Sequence, residues 1–270
     1  MGLSRTVLAY KGRAALGSFA IFLVFATVLA FVTWRFWYPG YLFALDGGLQ
    51  GLRIVLAVGF VLGPVLALVF FHPEKSRGKL VFDLVVVGAV QVAAMAWGLW
   101  QVWEQRPIGV VYGNQRFVTV APDIMRRQHV AAADLARYSP ASPPWVFRRA
   151  PQGTEEGKRA MVMLLRYSFH PESQAFLFEP FLPHLAEVFT RQEAMRRYVR
   201  EQLPAGTWEA FAAGRADADM AAYRLAFFEG RFGNAVLVFD PTGRYQGFLS
   251  LGERDLPILV ESPVAAGAGG

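Results

Sequence analysis

Three long stretches without a charged side chain constrain this chain more than any other feature of it. Ala14–Trp34 holds 21 such residues, Ile54–Phe71 holds 18 and Leu84–Trp103 holds 20. Coiled as α-helices at 1.5 Å per residue, these runs extend roughly 27–32 Å, close to the ~30 Å of a bilayer's hydrocarbon. No comparable run follows Glu104. The pattern predicts a membrane protein with three transmembrane α-helices, over about 14–34, 54–71 and 84–103, inside a membrane region 1–107.

Arg5, Lys11 and Arg13 precede the first stretch, as in a signal peptide. The stretch is longer than the ~7–15 apolar residues of such a leader, and it ends in Trp34-Arg35-Phe36-Trp37 rather than in small residues. It reads as an uncleaved anchor. Lys75, Arg77 and Lys79 lie between the second and third stretches, whereas the loop after the first has only Arg35 and Arg53 with Asp46 between them. The positive-inside rule then places the N-terminus in the cytoplasm and the C-terminal domain on the outer side of the membrane. Trp34, Trp37 and Tyr38, with Trp97, Trp100 and Trp103, gather at the outer ends of the first and third stretches. They are expected as interfacial anchors in the lipid bilayer. The apolar, glycine-rich segment from Tyr38 to Gly51 is expected to lie in the same interface.

Within the stretches, Gly59 and Gly63 stand four residues apart on one helix face, where they admit a close neighbour. Pro64 removes a helix hydrogen bond. Gln91 is a strongly polar side chain near the middle of the third stretch and is expected to face another helix. These four are the candidate helix-packing or partner-contact residues.

Composition narrows the function classes. With 54% apolar and 18% charged residues the chain is too hydrophobic for disorder. It has no cysteine, which removes disulfide frameworks, thiolate metal sites and thiol nucleophiles. Of the net charge of +6, the first 103 residues supply most, with eight basic and three acidic side chains. The rest is nearly neutral and carries no electrostatic footprint for nucleic acid. The pairs Arg126-Arg127, Arg148-Arg149 and Arg196-Arg197 read as solvated faces or rims of contacts.

The C-terminal region predicts a small periplasmic α+β domain over 108–261 ending in an antiparallel β-meander, followed by a flexible tail, 262–270. A hairpin is expected over 108–120 about Gly113-Asn114. Helical signals occupy 122–138, 159–169, 181–202 and 207–220, and a loop with four prolines occupies 139–157. Strand-like runs follow at 223–228, 235–239 and 245–251, with a turn at Asp240-Pro241-Thr242-Gly243. Chemistry is sparse. The histidines at 72, 129, 170 and 184 are scattered, no metal-ligand spacing or nucleophile elbow occurs, and the acid pairs Asp217/Asp219 and Glu155/Glu156 read as surface acids. No catalytic residue, cofactor or metal is expected, and the chain is not expected to be an enzyme.

The order of the N-terminal motifs resembles the TfpX/TfpZ family of type IV pilin accessory proteins. The resemblance rests on Trp37-Tyr38-Pro39-Gly40, Phe43, Gly47-Gly48, Gly51-Leu52-Arg53 and Leu62-Gly63-Pro64. It continues through Phe71-His72-Pro73-Glu74-Lys75-Ser76, Asp83, Gln91, Gly98-Leu99, Arg106-Pro107 and Arg116-Phe117, with Asp240–Gly243 as a later echo. It implies an inner-membrane protein that binds a type IV pilin and assists its assembly. The alternative is a membrane-anchored periplasmic sensor or scaffold unrelated to pili. The oligomeric state stays open.

Overall fold

A computed structural model of the chain describes residues 23–70, 77–166, 174–215, 217–252 and 256–257. The beginning of the first apolar stretch (14–22), the basic positions Arg5, Lys11, Arg13 and Lys75, His72, His170 and the tail 262–270 lie outside the described residues. The chain divides into two compact units. One comprises the residues up to Phe43 and Gly47–Arg106; the other comprises residues 107–270 together with the short segment Ala44–Asp46.

The first unit is helical. A helix over 23–32 runs into a π-turn, Thr33–Trp37. Helix α1 covers Gly48–Phe70 and helix α2 covers Arg77–Glu104. Glycine sets how closely α1 and α2 approach. A Cβ on Gly51 would stand 2.9 Å from Val102 Cγ2, and one on Gly98 would stand 3.3 Å from Val55 Cγ2. Residues four apart share a helix face, so each helix offers one glycine and one valine, and each valine fills the space above the other helix's glycine. Leu29, Leu52 and Val55 are buried in this packing, with Leu99 and Val102 against them.

Among the described residues, no helix is long and apolar enough to cross a membrane. This overturns the expected three-helix transmembrane architecture. An uncharged run records hydrophobicity, not what the helix packs against. Leu29, Leu52 and Val55 pack on neighbouring helices, and α2 carries Arg77, Lys79, Asp83 and Glu104 within its length.

The second unit is a mixed α/β unit built on a seven-stranded sheet, in the order β4-β3-β1-β2-β5-β6-β7. Its strands are β1 Gly109–Gly113, β2 Arg116–Val120, β3 Trp145–Arg148, β4 Phe178–Pro180, β5 Arg224–Glu229, β6 Asn234–Phe239 and β7 Tyr245–Gly252. Strands β1 and β2 form an antiparallel hairpin whose turn residues, Asn114 and Gln115, both have positive φ (53° and 67°). That is the left-handed backbone a tight two-residue turn requires. Strand β3 adds to β1 in parallel, and β2 pairs in parallel with β5. Strands β5, β6 and β7 follow one another antiparallel.

The sheet is rolled. Trp145 on β3 and Tyr245 on β7 bring their rings within 6.1 Å, although five strand spacings separate them in the sheet order. In a flat sheet that separation would be about 24 Å. The concave face is filled by aromatic rings, with Phe117 in contact with Trp145, Phe181 and Phe239. Period-two alternation sends the intervening side chains to the convex face. There Val118 and Val120 meet Met125 of helix α3 (Pro122–Arg127), and Leu225, Phe227, Val236 and Leu249 meet Met195 and Val199 of helix α5 (Gln192–Gln202). Helix α4 (Gly153–Arg166) and helix α6 (Thr207–Ala212) complete the helices used below.

Candidate functional site

The residues singled out from the sequence scatter. Gly59 and Gly63 lie in α1, which continues through Pro64, while Gln91 lies in α2. Among the described glycines, Gly51 and Gly98 mark a close approach of the two helices. Trp34, Trp97, Trp100 and Trp103 are exposed, and Trp37 stacks edge-on against Trp103 at 5.4 Å. Tyr38 differs from them: it is 2% exposed, and its hydroxyl donates to the Val102 carbonyl at 3.1 Å. It is a packing residue of the helical unit.

The acid pairs serve local structure. Asp217 accepts the Asp219 N–H at 2.9 Å, and Asp219 in turn accepts the Ala221 N–H at 2.9 Å, capping a short 3-10 turn. Glu155 and Glu156 occupy the first turn of α4, where carboxylates suit the helix dipole. Glu156 binds the Arg149 guanidinium with both oxygens, at 2.7 and 2.8 Å, and this holds its carboxyl down to about 2. Arg149 also reaches Glu179 at 3.0 Å, and Glu179 reaches His184, whose ring stacks on Phe147 at 4.0 Å. Arg149 is therefore part of an ion-pair network and not of a solvated face.

Two features stand out that the sequence did not announce. The first is a cleft of about 340 Å³ beside the β1–β2 turn. It exists because the hairpin is short. Arg148 on β3 and Leu225 and Ala226 on β5 run level with or past the turn, which leaves a notch in the sheet. The side-chain amide of Gln192, the first residue of α5, closes the open edge of β5. It donates to the Leu225 carbonyl at 2.9 Å and accepts the Leu225 N–H at 2.7 Å. Phe147, Val188, Met195 and Leu225 supply apolar lining, and Arg148, Arg191, Asn114 and Gln115 supply polar lining.

Arg148 is half-buried. It donates to Gln174 Oε1 at 2.9 Å and to Asn114 Oδ1 at 2.8 Å, while its buried Nε has no partner. Both acceptors are neutral amides, so among the described residues no carboxylate answers its charge, and burial pulls the guanidinium below its ordinary value. Arg191 donates to Gln115 Oε1 on the other side of the cleft. Tyr112 beneath them donates to the Val188 carbonyl at 3.2 Å. Burial pushes its hydroxyl up to about 12, against the pull of Arg191.

The second feature is Asp46, 0% exposed. Its Oδ1 accepts from the Thr119 hydroxyl at 2.9 Å and the Arg231 N–H at 3.4 Å, with Arg231 Nε at 3.7 Å. Its Oδ2 is buried without a partner. Burial raises the carboxyl to about 6, opposed by Arg231 and Thr119. The β5–β6 turn grips the same segment. Phe232 N–H donates to the Leu45 carbonyl at 2.9 Å, and only a glycine at 230 fits, since a Cβ there would stand 2.4 Å from that oxygen. Ala44–Asp46, part of the segment expected in a membrane interface, thus belongs to the sheet unit.

Comparison with known proteins gives a limited relationship. The serogroup I fimbrial assembly protein of Dichelobacter nodosus is 24% identical over 98 residues, which is 36% of this chain and 38% of that protein. The serogroup C1 and C2 protein is 23% identical over 94 residues, 35% of this chain and 72% of the relative. The serogroup E1 protein is 24% identical over 95 residues, 35% of each. The chain thus spans little more than a third of the length of two of these relatives. No family model and no solved structure matches. Over about a third of its length, then, the chain is similar to fimbrial assembly proteins.

Proposed function

We propose that the chain is an accessory protein of type IV pilus assembly that acts by binding a pilin. The observation that carries this reading is the similarity to the Dichelobacter nodosus fimbrial assembly proteins. The motif order from Trp37 to Phe117 supports the finer assignment to accessory proteins of the TfpX/TfpZ kind. The role is one of binding rather than chemistry: the acid pairs build turns and helix ends, and the half-buried Arg148 lies at a cleft that can hold a partner. Its proposed place of action is the periplasmic side of the inner membrane, where pilin heads stand before assembly.

The test is retrieval of a pilin with affinity-tagged, full-length protein from cells that express type IV pilins, together with deletion. The expected result is co-purification, and loss of surface pili made of that pilin while unrelated pilins assemble normally. Normal piliation after deletion overturns the reading. A cysteine at exposed Ser250, in a chain with none of its own, is expected to react with a membrane-impermeant maleimide in intact spheroplasts. Labelling only after lysis overturns the periplasmic placement.

A further inference from the structure

We infer that the cleft beside the β1–β2 turn is a recognition site for a peptide carboxylate set next to an apolar side chain. The inference deepens the reading above and rests on it for the source of the peptide, a pilin.

A half-buried guanidinium costs free energy unless an opposite charge answers it. Arg148 is held rigid by Gln174 and Asn114, at 2.9 and 2.8 Å, yet both are neutral. Its geometry is fixed as for a ligand, while its charge is left unmatched among the described residues. Arg191 stands on the same cleft as a second cation. The first turn of α5, an 11-residue helix, opens here, and its N-cap residue, Arg191, makes no side-chain capping hydrogen bond to that turn. The positive end of the helix dipole therefore adds to the two arginines. Three features of separate origin favour a negative group at one place.

The rest of the lining narrows its class. Glu187 also borders the cleft. It opposes a doubly charged phosphate more than a singly charged carboxylate. Phe147, Val188, Met195 and Leu225 form an apolar patch that suits a hydrocarbon or aromatic side chain. Asn114, Gln115 and Thr190 offer both donors and acceptors, which peptide groups need and a simple anion does not.

The experiment titrates full-length protein with acetyl-Leu-Phe bearing a free carboxylate, with its C-terminal amide, with acetyl-Leu-Asp-amide and with inorganic phosphate. Binding is followed by NMR at the Asn114 and Gln192 side-chain amides. The amide of Leu-Phe is expected to bind at least tenfold more weakly than the acid. Arg148→Gln and Arg191→Gln are each expected to weaken the acid about tenfold and leave the amide unchanged. Binding of the Asp peptide assigns the source to an acidic side chain; binding of the free acid alone assigns it to a chain terminus. Equal binding of acid and amide, or none of either, overturns the inference, as does phosphate binding tighter than every peptide. Arg191→Gln, on the cleft wall, keeps the test decisive if Arg148→Gln lowers the melting midpoint. Pilin retained equally by wild type and both variants overturns the cleft and spares the pilus reading. Absence of pilin from the wild-type purification, with peptide selectivity intact, does the reverse.

Discussion

The Thr119 hydroxyl on β2 donates a 2.9 Å hydrogen bond to the carboxylate of Asp46, a residue 73 positions earlier in the chain. The bond lies in a site without solvent, where the second oxygen of Asp46 has no partner. A fully ionised carboxylate needs more than one neutral hydroxyl, one backbone N–H at 3.4 Å and one guanidinium nitrogen at 3.7 Å to replace its water. The proton is therefore held to higher pH in the folded chain than in the unfolded one.

This sets a pH dependence. The native carboxyl titrates at about 6, against an ordinary value of 3.8. Between those values the unfolded state releases its proton first, so stability falls as pH rises from about 4 to about 6. The full cost, on the order of 3 kcal/mol, persists above that. Asp46→Asn keeps an acceptor for Thr119 and never ionises. It is expected to be more stable than wild type at pH 7.5, by about 1–3 kcal/mol, and to show no slope between pH 4 and 6. Hydrogen exchange at the Phe232 amide, which donates to Leu45, reads this locally. A variant less stable at pH 7.5 contradicts it.

Gly230→Ala brings a methyl group to 2.4 Å from the Leu45 carbonyl and 2.6 Å from the Gly233 carbonyl, both backbone atoms with little freedom to yield. Its expected cost is about 1–3 kcal/mol or more, with faster exchange at Phe232. Gly157→Ala, inside α4 with nothing within 4 Å, is the opposite case. There the gain in helix propensity is expected to stabilise by roughly 0.5–1 kcal/mol. Urea midpoints for the two variants separate the effects.

Gly51→Ala places its methyl 2.9 Å from Val102. Destabilisation of about 1–3 kcal/mol is expected. Val102→Ala in the same chain should recover part of it, because the two positions share one space. A double-mutant cycle that gives coupling below about 0.5 kcal/mol would show that the helices do not meet there.

Asp240→Ala removes an acceptor bonded to the Thr242 N–H at 2.8 Å, the Thr242 hydroxyl at 2.6 Å and the Arg244 N–H at 3.0 Å. Partial burial raises this carboxyl, but its hydrogen bonds together hold it below its ordinary value. The expected loss is about 1 kcal/mol, by analogy with other short-range caps. Thermal melts check it, and an unchanged midpoint would make the turn independent of this side chain.

What the sequence made legible follows from how local each signal is. The runs at 223–228, 235–239 and 245–251 stand close to β5, β6 and β7, because alternation and the Asp240–Gly243 turn are encoded within a few residues. The β1–β2 turn lies one residue later than expected, on Asn114-Gln115. Strand β3 was hidden among Pro140, Pro143, Pro144 and Pro151. It forms because β1, more than 30 residues earlier, offers it a pairing edge. The charge of Arg148 looked solvated because its neutral partners, Asn114 and Gln174, are distant in sequence. The burial of Asp46 was not legible for a similar reason, since what buries it lies in β2 and in the β5–β6 turn. The uncharged runs gave helices at α1 and α2, but a run cannot separate a helix facing lipid from one whose Leu52 and Val55 face other helices.

The parallel pairing of β2 with β5 also has a consequence for how the protein is made. Arg116 and Glu229 form an ion pair at 3.1 Å across that seam, 113 residues apart in the chain. At roughly 5–20 residues per second of synthesis, β2 waits on the order of 10 s for the strand it must pair with. Through that interval both apolar faces of the first hairpin, with Phe117 on one and Val118 on the other, have lost the ribosome's cover and not yet gained the sheet's. The nascent chain is at its most adhesive before it is complete, and closure of the roll by β7 comes last of all.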